Sequence, residues 1–209
     1  MITKKRMPLL IAIICGLEVL IYLWSAWTST FQSSNYFAIG PETIFDKCAR
    51  LSGRISSVIM LISMLFVGYN GLKQIYRNEK KLDTFRVFIT LFTFNHLIHF
   101  LFVFLRFKNN HATINIGENL QGFITFICIV TIPFILWTFK QLNWVLYLAI
   151  ILHLFNVSYF MNKTFLSKIS PEHPAYHNQF GIVVLTAACI FVLYSVYSDY
   201  KRNAVVGKV

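Results

Sequence analysis

Apolar residues fall into six long runs separated by short polar stretches, at roughly 8–27, 55–76, 87–105, 123–139, 144–159 and 180–197. Each is close to the 20 or so residues that a helix needs to cross the hydrocarbon layer. None alternates apolar and polar positions as a half-buried strand does. The pattern therefore predicts an all-α integral membrane bundle of six transmembrane helices, one domain over 1–209, immersed in a lipid bilayer. Composition agrees. Hydrophobic residues make up 56% and charged ones 13%, with a mean hydropathy of +0.61, whereas soluble domains carry about 25% charge. Lys4, Lys5 and Arg6 precede the first run as in a secretory leader, but the run is too long and no small-x-small site follows it, so a retained helix is expected.

The net charge of +11 (19 basic minus 8 acidic) would suggest nucleic acid in a soluble chain. Here the basic residues lie between apolar runs, where they orient a protein in its membrane, and no nucleic-acid partner is expected. With the N-terminus inside, the inner segments hold Lys4, Lys5, Arg6, Lys73, Arg77, Lys80, Lys81, Arg86, Lys140, Lys201, Arg202 and Lys208; the outer ones hold Lys47, Arg50, Arg54, Arg106, Lys108, Lys163 and Lys168. Twelve against seven predicts both termini in the cytoplasm (N-in/C-in) and a plasma (inner) membrane location. Most of the weight rests on a loop at 74–86. The longest connections, 28–54, 107–121 and 161–179, are then outer; the first carries Gly40-Pro41-Glu42, a turn signal before an expected short amphipathic helix.

Chemistry has few places to reside. Cys15, Cys48, Cys128 and Cys189 lack metal or redox spacing, and no nucleotide-binding loop, nucleophile elbow or zinc-protease motif occurs. The polar residues inside the apolar runs carry the information, since each is expensive in lipid and must face the bundle interior. They are Glu18, Asn70, Asn95, His96, His99 and His153. His96 and His99 share one face of the third helix, with Arg106 two turns beyond. His99 lies thirteen residues from Arg86, and His153 ten from Asn143, both counted from the inner end. At about 1.5 Å per residue the three imidazoles come within about 5 Å of a common depth. Two such histidines on two helices can ligate both faces of a haem, and with Glu18 the same set can ligate zinc. His173 and His177, beside Glu172, sit at the last outer loop; solvated loop histidines are the simpler reading of that pair, and a proton- or substrate-accepting outer mouth is the functional one.

The stretch 45–107 resembles the first half of the ferric-reductase-like transmembrane domain, in its short haem-binding subunit type that serves periplasmic methionine sulfoxide reductase. The likeness rests on Ala49-Arg50-Leu51-Ser52-Gly53 before the second run and on Arg86 with His99 thirteen residues later. In the family's fifth helix a His-Arg-Leu-Val-Tyr sequence is followed by a second His nine residues after the Tyr. Here Asn143-Trp144-Val145-Leu146-Tyr147 takes that place, and His153 follows Tyr147 by six. Asn143 cannot ligate iron, and Ile89 replaces the family's glycine in the third helix. The resemblance implies a haem b membrane protein passing electrons outward. Its axial ligands would be His99 and His153, with His96 as substitute, and Arg106 would pair with a propionate. It would draw on a quinol or flavoprotein donor and serve an outer-face redox partner. Two other classes fit the same residues. One is a metal-dependent lipid hydrolase using Glu18, His96, His99 and His153; the other is a small transporter or accessory subunit without catalysis.

Overall fold

The computed structural model describes residues 4–31, 43–111, 120–169 and 175–206. A 3-10 turn, Lys4–Arg6, leads into α1 (Met7–Phe31). Then follow α2 (Ile44–Asn70), α3 (Leu72–Arg77), α4 (Glu79–Asn109), α5 (Leu120–Thr138), α6 (Trp144–Leu166) and α7 (Tyr176–Val206). All but α3 are long and apolar enough to cross a membrane. The protein is an all-α, multi-pass membrane bundle, and no strand occurs among the described residues.

Local chemistry sets the helix ends. Thr43 and Asp46 form a reciprocal capping box that starts α2 well before its apolar run, so helix rather than loop carries Asp46 through Arg54. No separate amphipathic helix precedes it among the described residues; Gly40-Pro41-Glu42, Glu172 and His173 lie outside them. Gly71, at φ 75, turns the chain from α2 into α3. Asn78 ends α3 and caps α4 by accepting from Lys81 N at 3.1 Å. The expected basic loop at 74–86 is thus two helical pieces joined at one asparagine. In α5, Pro133 has no N–H for the carbonyl of Ile129, four residues back. Thr93 Oγ1 on α4 donates to that carbonyl at 2.8 Å, so the freed acceptor is satisfied within the bundle.

Packing runs from α2 to α4, α5, α6, α7 and back to α2, a closed ring of five helices, with α1 outside against α2 and α4. The ring is filled by Met60, Met64, Phe85, Ile89, Phe92, Ile129, Leu136, Leu154 and Val192. Leu20, Phe134, Val183 and Ile190 are exposed outward, where lipid tails would cover them.

Candidate anion-binding cavity

The close approach of α4 to α2 depends on the small residues Ala49, Ser52, Gly53 and Ser56 along one face of α2. Asn95 Nδ2 donates to Ser52 O at 3.1 Å and to Ser56 Oγ at 2.8 Å. Ser52 Oγ donates in turn to Glu18 Oε1 at 2.8 Å, which ties α1 to this seam. All four side chains are buried, and Glu18 Oε2 and Asn95 Oδ1 have no partner.

One turn further along α4 from Asn95, the His99 ring lies over Gly53. A Cβ at position 53 would stand 3.0 Å from His99 Cε1 and 3.3 Å from Nδ1. His96 is 5.2 Å from His99 between ring centroids, with planes at 49°. Both rings line a cavity of about 100 Å³ that also meets Arg50 and Arg54 of α2, Met161 and Phe165 of α6, Lys168, and His177 and Asn178 of α7. Among the described residues no Asp or Glu lines it. Nδ1 of each of His96 and His99 is buried without a partner.

Among the described residues, cations gather around Lys168. Partial desolvation, and then Arg106, Arg50 and Arg54, hold the Lys168 ammonium below the usual lysine range. Asp46 is engaged at the rim: it pairs with Arg106 and accepts from Thr43 N at 3.0 Å and Thr43 Oγ1 at 2.6 Å.

The expected site residues are therefore divided. His96 and His99 share a cavity; Glu18 bonds Ser52; Arg106 pairs with Asp46. His153 is buried in α6 with both nitrogens unpartnered and does not line the cavity. Its depth follows from two bonds. Asn156 Nδ2 donates to Thr125 Oγ1 at 3.1 Å, and one turn further along α5 Ile129 O accepts from Thr93. His153, three residues before Asn156, thus lies near the Thr93 layer, about 3 Å from His96 in depth and about 7.5 Å from His99.

These residues do not fit a haem held between His99 and His153. One imidazole is packed on α2, the other is outside the cavity, and 100 Å³ is small beside the several hundred Å³ that a large flat ligand fills. Both positions where the resembling family carries fifth-helix histidines are asparagine here. Asn143 caps α6, accepting from Leu146 N at 2.7 Å, and Asn156, nine residues after Tyr147, bonds Thr125. Zinc fares no better: among the described residues no three His, Cys, Asp or Glu side chains gather to hold a metal ion.

Among the cavity residues, Arg54 and Lys168 stand in the sequence only as outer-loop charges, and Arg50 and Gly53 only as part of the motif that carries the family resemblance. Arg50 and Arg54 at i, i+4 on one helix face would have been the signal, had α2 been started at Ile44. No protein-family model matches the chain, and no match is found among curated proteins or solved structures.

Proposed function

We propose that this six-pass protein binds a small oxyanion, a phosphate, sulfate or carboxylate group, in the cavity floored by His96 and His99. It would serve as a transporter or accessory subunit in a plasma membrane, with both termini cytoplasmic and the cavity toward the outer side. The observation that carries the reading is a cavity that Arg54, Lys168 and three histidines line, with no carboxylate among the described residues of its wall. Cations gathered at the mouth of one cavity repel one another, and an anion converts that repulsion into charge-assisted hydrogen bonds. The volume suits a compact oxyanion with a few waters. His96 and His99 would add neutral donors at its floor, which orient the anion without adding charge.

Sulfate tests this directly, because its charge is fixed between pH 6 and 10. Calorimetric titration of the detergent-solubilised full chain should give saturable sulfate binding, about tenfold or more weaker in Arg54→Gln and in Lys168→Gln. Affinity should fall as pH rises through the lowered Lys168 value, sooner than an ordinary lysine would allow, because binding favours the protonated amine. Absence of sulfate and phosphate binding in the folded protein, or equal affinity in both variants, would sink the proposal. The unpartnered nitrogens of His153 keep one rival reading open to the same sample: a reduced-minus-oxidised haem spectrum lost in His153→Ala would favour electron transfer instead.

A further inference from the structure

A second cavity, of about 650 Å³, lies at the opposite end of the bundle, between α3, the start of α6 and the end of α7. Lys73, Arg77 and Lys140 line it together with Tyr76, Trp144 and Tyr200, and among the described residues no Asp or Glu does. The neighbouring carboxylate of Asp199 is occupied elsewhere. Asp199 is buried, accepts from the Lys73 amide at 3.4 Å and bonds Tyr147, while its backbone carbonyl takes Lys73 Nζ at 3.3 Å. That leaves Arg77 and Lys140 exposed and facing no acid in the cavity wall.

Two features here ask for acceptor oxygens. The first is this pair of cations. The second is the first turn of α6, where Asn143 Oδ1 satisfies only Leu146 N and the amides of Trp144 and Val145 have no intrahelical partner.

We infer that this cavity holds the phosphodiester headgroup of an anionic membrane lipid. The rim argues for lipid over a soluble phosphate. Trp144 is 77% and Tyr200 73% exposed at the ends of apolar helices, the level at which aromatic belts and lipid phosphates coincide. Basic pockets between transmembrane helices at this level suit headgroups that carry phosphate. The volume accommodates a headgroup while its acyl chains lie along the outside of α6 and α7. Nothing in this inference depends on the histidine cavity, whose residues lie at the other end of the same helices.

Native mass spectrometry of the detergent-solubilised full chain, titrated with phosphatidylglycerol or phosphatidylcholine of matched acyl chains, tests the inference. Phosphatidylglycerol should be retained at least tenfold better. Each cation removed should cost about fivefold, so Arg77→Gln with Lys140→Gln should lose roughly 25-fold. Lys80→Gln with Lys81→Gln, on the same face but outside the cavity, should stay within about twofold. Arg77→Gln alone should cost about fivefold, which keeps the test in hand if the double variant fails to fold. Equal retention of the two lipids overturns the inference. So does an equal loss in the Lys80/Lys81 control, unchanged retention in Arg77→Gln, or displacement of the lipid by millimolar inorganic phosphate.

Discussion

At position 53 a hydrogen atom in place of a methyl group decides where an imidazole can lie. A Cβ there would stand 3.0 Å from His99 Cε1, so the ring must give by a few tenths of an ångström. Gly53→Ala therefore shifts His99 toward the cavity or eases α2 away from α4. The expected result is sulfate affinity at least tenfold lower, with thermal stability reduced by about 1–3 kcal/mol. Unchanged affinity would mean that His99 is not part of the floor. At this scale the sequence was partly legible. Buried histidines stand out in an apolar run, and His96 and His99 do share a wall. What it could not reveal is which helix a side chain faces. Equal depth was taken as proximity, yet His99 leans on α2 while His153 is outside that cavity. Arg50 and Arg54 were hidden for a simpler reason: charge was read as loop, although a capping box had already begun the helix.

Among the helices, α5 is the one whose sequence works against it. It has a proline in its interior and ends without a basic residue of its own. Its two weak points are both repaired from α4: Thr93 takes the carbonyl freed by Pro133, and Arg86 holds the C-terminal end. Arg86 Nε donates to Leu136 O at 2.8 Å and Nη2 to Phe139 O at 3.1 Å, with the guanidinium 5.3 Å from the Trp137 ring centroid. The carbonyls at a helix C-terminus carry partial negative charge, so a cation there satisfies both hydrogen bonding and dipole. Arg86→Gln should lower the unfolding free energy by about 1.5–3 kcal/mol, read as a drop in thermal midpoint in detergent, with the sulfate cavity intact if the fold survives. A midpoint within a degree of the parent would show that the α5 end needs no external donor. Arg86 drew attention in the sequence through its distance to His99. Its structural role was invisible there, because the carbonyls it holds are fifty residues away.

For the whole molecule, the six-helix reading was secure from hydropathy alone, since lipid admits no alternative for segments of that length. The ring order α2, α4, α5, α6, α7 was not legible, because lateral packing depends on small residues and isolated polar contacts rather than on apolar content. Charge asymmetry predicts the sidedness that the bundle alone leaves open. A green fluorescent protein fused after residue 209 should fluoresce, and alkaline phosphatase fused after residue 169 should be active; the reverse pair of results would invert the topology and place the lipid cavity outside.

The buried thread from Glu18 through Ser52 to Asn95 has a consequence for α1, the helix outside the ring. Greasy surfaces slide past one another with little penalty, so a peripheral span held by apolar contact alone would have many nearly equivalent settings. A carboxyl group latched to a serine removes that freedom. Rotation by a quarter turn, or a slip of one pitch, would strand the acid among hydrocarbon tails. This helix is keyed like a shaft in its collar, and a neighbouring protein that gripped its outer face would be gripping the whole assembly in a fixed orientation.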